Sequence, residues 1–323
     1  MLIVENWNST YKETINHFWN LEKDFSEDDG KNVLFAGWAT VEHNNDYKNK
    51  YAHYENRMFF NTEQPCAFQI DARNVQLSAN LDSYFNHVFT QDPYSAEWLN
   101  KLQNKDCFHL IFPCPYNQND IVSDISEKEH DVLYWGGVHS GVHMNILDTI
   151  KDYNYNFLSL GPHVWTQKYN LPQYSNLITH TSMPRPEMWN LIRKTKINII
   201  SNLLFIDPQT PAKIKRLQNW EDNLAFKNID NLIMPQIKTR PFESAINRCL
   251  MLVLRDPWNV QEYFFEPGEH FLYWDDPAQL KDMIDDIIIN WKNYEEIVEK
   301  AYQKAISSYT TEHFINHIKK ACI

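Results

Sequence analysis

The chain of 323 residues is poor in glycine, holding only seven, where average usage of ~7% would supply about 23. Asn, Lys and Ile abound, and an AT-biased genome lowers glycine by itself. The survivors are unevenly placed: Gly136, Gly137 and Gly141 share one short segment, with Gly161 not far behind. A position that keeps glycine against such a bias needs φ > 0 or close backbone approach. Cysteine is sparse too. Cys66, Cys107, Cys114, Cys249 and Cys322 are odd in number and include no C-x-x-C pair. That spacing fits neither a disulfide framework nor a zinc site, and it predicts a reducing cytosol. Cations are outnumbered, 30 Lys and Arg against 42 Asp and Glu, for a formal charge of −12. Coating nucleic acid or lying on an anionic membrane needs a basic footprint, so neither partner is expected, although locally basic pockets stay open. No apolar run reaches the ~20 residues that span a bilayer. The opening MLIVENWNSTYK also lacks the basic-then-apolar pattern of a secretory leader. These absences predict a soluble, cytoplasmic, globular protein without a transmembrane segment.

What is present is enough for two ordinary domains with real cores, since 43% of the residues are hydrophobic. Apolar runs alternate with helical stretches. Val33-Leu34-Phe35-Ala36 ends on Gly37, Met58-Phe59-Phe60 leads into Asn61, and His87-Val88-Phe89-Thr90 precedes Asp92-Pro93, an N-cap and N1 pair for a helix through Leu99. Phe108 to Phe112 stops at Pro113. Residues 116–130 are polar, acidic and aperiodic, and read as a linker. The alternation then restarts with Val132-Leu133-Tyr134-Trp135, Gly136-Gly137 and a helix through Ile146-Leu147. Strands follow at Phe157–Leu160, Leu177–Thr179 and Ile197–Ile200, with a helix from Pro186 to Lys194 before the last of them. Strand–helix alternation of this kind predicts parallel sheets covered by helices. Residues 203–236 do not parse and read as an insertion or a mobile lid. The architecture expected is α/β, an N-terminal domain over 1–120 and a second over 131–323, with a cleft between two halves.

The C-terminal stretch is the easiest to read. Glu266-Pro267-Gly268-Glu269 has the chemistry of a type II turn. Asp276-Pro277-Ala278-Gln279 is a capping box with Pro at N1. Leu280, Met283, Ile284, Ile287, Ile288 and Trp291 form one helical stripe, and Tyr294, Ile297, Val298, Ala301, Tyr302 and Ala305 another. Both are expected in the core.

Chemistry is best placed at Lys238-Thr239-Arg240-Pro241-Phe242-Glu243-Ser244-Ala245, which opens a helix ahead of the buried strand Cys249–Leu254. With Pro241 at N1, Glu243 falls in the first turn. A first-turn carboxylate is favoured by the helix macrodipole with no functional meaning. Beside a cleft, the same carboxylate can accept hydrogen bonds from ribose hydroxyls. Lys238 and Arg240 can neutralise a diphosphate at a helix start that itself favours anions. In so acidic a chain, a basic pair at that position favours the functional reading.

Residues 238–276, K-T-R-P-F-E-S-A through E-Y-F-F-E-P-G-E-H-F-L-Y-W-D-D-P, resemble the C-terminal signature of group 1 (GT4-like) glycosyltransferases. The closest flavour is the CgeB-like branch. Asp131 to Gly137 is similar to the first strand and Gly loop of that family's second domain. Thr62-Glu63-Gln64-Pro65 and Val88 to Asp92 are similar to its N-terminal half. The resemblance implies a GT-B fold, two Rossmann-like domains with parallel sheets facing across a cleft, the first (1–120) on the acceptor side and the second (131–323) binding a nucleotide-sugar. It implies that Glu243 holds the donor ribose, with Lys238, Thr239, Arg240 and Phe242 around it, and that Lys238 and Arg240 lie near the diphosphate. The Gly136–Gly137 backbone would approach the phosphates. It implies transfer with retention, no cofactor, and no catalytic metal, the leaving diphosphate being stabilised by cations and helix ends.

Three positions depart from that family. Pro235 stands where many relatives carry a second Glu, residues 138–150 contain no Arg or Lys after the Gly loop, and Asn247-Arg248-Cys249 occupies a corner that often holds Gly. The histidines admit two readings each. His139 and His143 are four apart, which could set two imidazoles on one helical face for a metal. No third ligand lies nearby, and a phosphate or acceptor contact from the cleft wall is the better use of either. His180 follows a strand where relatives place donor-contacting loops, or is a surface histidine. Glu63 is an acceptor-side base or an exposed loop carboxylate. Eleven Trp, 17 Tyr and 18 Phe suit stacking on sugars and bases, although most belong to the core. The function expected is glycosyl transfer from a nucleotide-sugar to a glycan or other hydroxyl acceptor. A binding module that has lost catalysis and a nucleotide-sugar epimerase stay as alternatives.

Overall fold

The computed structural model describes residues 1–4, 21–37, 46–61, 84–104, 106–112, 121–123, 127–138, 140–158 and 185–321. In chain order come β1 (Leu2–Val4), α1 (Leu21–Phe25), β2 (Asn32–Ala36), α2 (Tyr47–Lys50), β3 (Asn56–Asn61), β4 (His87–Thr90), α3 (Pro93–Gln103) and β5 (Phe108–Leu110). Next are β6 (His130–Trp135), α4 (Gly141–Ile150), β7 (Tyr155–Leu158), α5 (Arg185–Arg193), β8 (Thr195–Ile200), β9 (Leu203–Phe205), α6 (Thr210–Ile214) and β10 (Ile233–Pro235). The chain ends with α7 (Arg240–Ile246), β11 (Leu250–Leu254), β12 (Leu272–Trp274), α8 (Pro277–Ile289), α9 (Glu295–Ser308) and α10 (Thr311–Ala321). The expected strand at 177–179 lies outside the described residues. The Cα positions group into two compact units, one of Met1–Asn117, Ile206–Ile237 and Thr310–Ile323, the other of Gln118–Phe205 and Lys238–Tyr309.

In the first unit β1 to β5 form one parallel sheet in chain order. Its strands are apolar on both faces because both are covered. Phe35 and Phe59 meet Phe85, each at 5.3 Å, and Phe35 meets the Tyr47 ring of α2 at 5.6 Å. Phe60 and Phe112 meet Phe314 of α10 at 4.8 and 5.7 Å. Helix α3 starts where Asp92-Pro93 predicts, the Asp92 carboxylate accepting the N–H groups of Tyr94 and Ser95. Residues 206–237, unparsed from sequence, group with this unit and are tied to α3. The Trp98 indole donates to the Asn219 carbonyl at 2.8 Å, its ring stands edge-on to Phe226 at 5.8 Å, and Asn223 Nδ2 donates to Ser95 Oγ at 3.3 Å.

The second unit holds a parallel sheet in the order β12-β11-β8-β6-β7. Val132 and Tyr134 of β6, Ile197 and Ile199 of β8, and Leu250 and Leu252 of β11 are buried against Ile146 and Leu147 of α4 and Leu280, Ile284 and Ile287 of α8. Both C-terminal stripes are core, as expected: α9 buries Val298, Ala301, Tyr302 and Ala305. The Asp276 carboxylate caps α8 through the N–H groups of Ala278 and Gln279, and Gly268 makes its turn at φ +78°.

The end of the expected linker is docked at the amino-terminal edge of this sheet. Lys128 Nζ donates to the carbonyls of Arg193 and Arg248 at 2.7 and 2.6 Å, closing α5 and the corner after α7. Burial, with Arg248 and Arg193 nearby, lowers the Lys128 pKa to about 8. At that corner Arg248 holds φ +51°, the left-handed geometry that favours Gly. Its guanidinium lies 3.4 Å over the Tyr302 ring and pairs with Glu299 at 2.8 Å, contacts that offset the backbone strain.

Candidate functional site

Among the described strands of the second unit, the chain steps outward from β6 to β7 and then returns to β8 on the other side of β6. Loops leaving β6 and β8 therefore diverge, and a crevice opens at their carboxyl ends, the place where sheets of this kind bind ligands. Gly136 and Gly137 leave β6 there, and Ser201 and Asn202 leave β8.

Gly136 adopts φ +150°, and a Cβ added to it would meet Arg240 Nη2 at 2.7 Å, Cζ at 2.8 Å and Nη1 at 3.0 Å. The space beside Gly136 is occupied by the Arg240 guanidinium. Arg240 is the first residue of α7, with Thr239 as N-cap. The helix thus starts one residue earlier than a reading with Pro241 at N1. Pro241 sits one place further in, still within the turn whose N–H groups have no helical partner, and the Glu243 N–H donates to the Thr239 carbonyl at 3.0 Å. Burial is the largest influence on Arg240 and lowers its pKa, while Tyr134 and Glu243 act in the opposite direction. An arginine remains a cation even so. The arrangement is a half-buried cation held on a glycine at a strand end, with a buried carboxylate, Glu243, one helical turn away.

Tyr134, which sequence reading passed over, joins the parts. Its hydroxyl donates to the Gly137 carbonyl at 3.2 Å, and its ring stacks on Phe157 at 5.7 Å. Burial raises its pKa to about 12, so it stays neutral and can donate. His143, buried in the first turn of α4, lies 6.2 Å from the Tyr134 ring and 5.2 Å from Phe205, and Ser140 Oγ is 3.4 Å from its Nδ1. The structure therefore brings Gly136, Gly137, His143 and Arg240 around Tyr134, with Glu243 beside Arg240.

Other expected residues fall differently. Lys238 and Thr239 are partly exposed ahead of α7. Phe242 is fully buried, its ring packed against Phe264, Phe265 and Tyr309 at 5.3, 5.4 and 5.1 Å, which sets it beneath the helix as core and away from a ligand surface. Glu63, His139 and His180 lie outside the described residues. Pro235 ends β10 and is buried. Sequence reading also missed the polar groups closing β8 and β11. Asn202 Nδ2 donates to Gln261 Oε1 at 3.0 Å, Ser201 Oγ is buried without a partner among the described residues, and burial raises the Asp256 carboxyl to about 6. A signal was there: Ser201, Asn202 and Asp256 are polar residues within two positions of the end of an apolar strand. Among the described residues, Glu266, Glu269 and His270 bring ligand-type atoms within 4.8 Å of one another, but His270 Nδ1 already accepts the Glu266 N–H at 3.0 Å. Among the described residues no helix is long and apolar enough to cross a membrane.

Solved structures share this fold. HepE of Anabaena in complex with UDP-glucose matches at TM-score 0.61 and 9% identity, over 90% of this chain and 78% of that one. Sucrose-phosphate synthase of Thermosynechococcus elongatus matches at 0.57 and 9%, over 90% and 72%. The pneumococcal O-GlcNAc transferase GtfA in complex with UDP and GlcNAc matches at 0.55 and 8%, over 91% and 56%. Likeness at such identities establishes the fold, which is α/β of the GT-B class. The sequence profile described as glycosyl transferase-like matches residues 144–320, more than half of the chain. The chain belongs to that family and is a glycosyltransferase. No curated protein matches it by sequence.

Proposed function

We propose that the chain transfers a glycosyl group from a nucleoside-diphosphate sugar to a hydroxyl acceptor, with retention, in the cytoplasm and without a metal. One observation carries the reading: Arg240 lies on Gly136 at the carboxyl end of β6. The family-like Gly loop lacks a following cation in residues 138–150, and Arg240 supplies one from α7. Departure of a nucleoside diphosphate builds negative charge on the phosphate oxygens. A half-buried cation held in place stabilises that charge with little reorganisation at the moment of reaction. Glu243, coupled to Arg240, takes the complementary part, accepting hydrogen bonds from ribose hydroxyls. The UDP-glucose complex of HepE and the UDP complex of GtfA make UDP-sugars the first donors to test. The acceptor, a glycan or other hydroxyl compound, is assigned to residues 1–120. Cofactor independence follows the same reading.

Thermal stabilisation by UDP, GDP, ADP, dTDP and their glucose and N-acetylglucosamine derivatives, in EDTA, tests it. A ligand at a hundred times its Kd raises folded-state stability by about 2.7 kcal/mol. One nucleotide is expected to stabilise the protein, and Glu243→Gln to abolish the shift. No stabilisation by any of them, or a full shift in the variant, would reject the assignment. Stabilisation without sugar transfer or donor hydrolysis would indicate the binding module instead, for which the missing carboxylate at Pro235 is the motive.

A further inference from the structure

The middle of β8 carries an amide where a strand paired on both edges and covered on both faces calls for an apolar side chain. Asn198 pairs with Leu133 of β6 and Met251 of β11 and is fully buried. Its Nδ2 donates to Ser244 Oγ at 2.6 Å, and that hydroxyl donates to the main-chain carbonyl of Arg240 at 2.8 Å. Ser244 is fully buried as well. A serine bonding back to the carbonyl four residues earlier is a local habit of helices. The bond from Asn198 is tertiary. It leaves Asn198 Oδ1 buried with no partner among the described residues, a cost that valine at the same position would avoid. Packing alone therefore does not account for the asparagine.

The helix held by this bond is otherwise anchored by apolar packing, chiefly that of Phe242. Helix α7 is seven residues long, and its N-cap, Thr239, makes no side-chain capping bond. Yet the residue after that cap must set its guanidinium into a gap only 2.7–3.0 Å from an imagined Cβ on Gly136. Functional groups need positions fixed to about 0.5 Å, by side chains that are themselves locked.

We propose that Asn198 and Ser244 are positioning residues. The chain of two bonds, from Asn198 through Ser244 to the Arg240 carbonyl, pins the first turn of α7 to the central strand, so that the Arg240 side chain seats on Gly136. Its consequence for the reaction rests on the diphosphate role proposed for Arg240; the seating itself does not.

The test uses Ser244→Ala, Ser244→Thr and Asn198→Val with two readouts. The first is the rate at which phenylglyoxal modifies Arg240, followed by peptide mass spectrometry. The second is calorimetric binding of UDP and of uridine, which lacks the diphosphate. Ser244→Ala and Asn198→Val are expected to speed Arg240 modification severalfold and to weaken UDP about tenfold, with uridine unchanged. Ser244→Thr, which keeps the hydroxyl, restores both. Should Asn198→Val not fold, Ser244→Ala carries the test. Unchanged Arg240 reactivity in Ser244→Ala overturns the proposal, as does equal weakening of UDP and uridine with a fall in Tm. If the wild type binds no UDP while Arg240 reactivity still rises in Ser244→Ala, the positioning stands and the uridine-nucleotide reading falls.

Discussion

The guanidinium of Arg240 fills the place that a side chain on Gly136 would take, with Nη2 2.7 Å from the position of a Cβ there. The glycine has two reasons to be glycine: its φ of +150° and the cation packed against it. In the function proposed, this cation takes the part of the Arg or Lys that residues 138–150 lack.

Gly136→Ala displaces the flexible end of Arg240 and strains the backbone. It is expected to cost about 1–3 kcal/mol of stability and to weaken nucleoside-diphosphate binding. Arg240→Ala weakens binding without the backbone cost. In the double variant the binding losses do not add, because both act through one guanidinium. A double-mutant cycle by calorimetry checks this, and strict additivity would show that the two residues act separately.

Asp256 gives a pH signature. Its Oδ1 accepts the N–H groups of Trp258 and Val260 at 2.9 and 3.4 Å, while Oδ2 is buried without a partner among the described residues. Burial raises its pKa from 3.8 to about 6. The folded state therefore holds this proton more tightly than the unfolded chain. Below pH 4 the group contributes nothing, stability is lost as pH rises from 4 to 6, and the full penalty stands above 6. Asp256→Asn keeps the Oδ1 contacts and cannot ionise. Its stability relative to wild type should improve by up to about 3 kcal/mol across that window. Denaturation series at pH 4, 5, 6 and 7 would show it, and a constant difference would refute it.

In the first unit, His87 Nδ1 and His109 Nε2 are 2.9 Å apart and share one hydrogen bond. Burial lowers both from an ordinary 6.5, with Asp106 opposing and His317 adding to the fall at His109. Depressed imidazoles cost nothing above pH 6.5; stability falls as pH drops below it, because the unfolded chain takes up protons first. A His87→Asn, His109→Asn double variant should show a flatter Tm between pH 7 and 5 than wild type. The residual slope belongs partly to His317, whose pKa burial also lowers.

Trp98 is the tie between α3 and residues 206–237. Trp98→Phe keeps most of the ring packing against Phe226 and removes the donor to the Asn219 carbonyl, a loss of about 1 kcal/mol. Local opening of the segment should rise, and trypsin should cut faster after the exposed Lys213, Lys215 and Arg216. Equal cleavage rates in the two proteins would place the tie elsewhere.

Much was legible in the sequence because it follows local rules. Asp92-Pro93 and Asp276-Pro277 announce their helices by capping chemistry, and the α8 and α9 stripes announce core by periodicity. The alternation of strand and helix announces α/β layers, and the run through Arg240 and Glu243 resembles its family. The tertiary structure alone decided which distant residues meet. Strand order sets β8 beside β6 and so opens the crevice at Gly136; no scan of residues 138–150 could show that its cation comes from α7. It also grouped residues 206–237 with the first unit, paired His87 with His109, and buried Phe242 beneath the helix whose first turn carries the site. The physical reason is that caps and stripes are written within a few residues. Register, strand order and the close approach of Arg240 to Gly136 are settled only when segments far apart in the chain pack together.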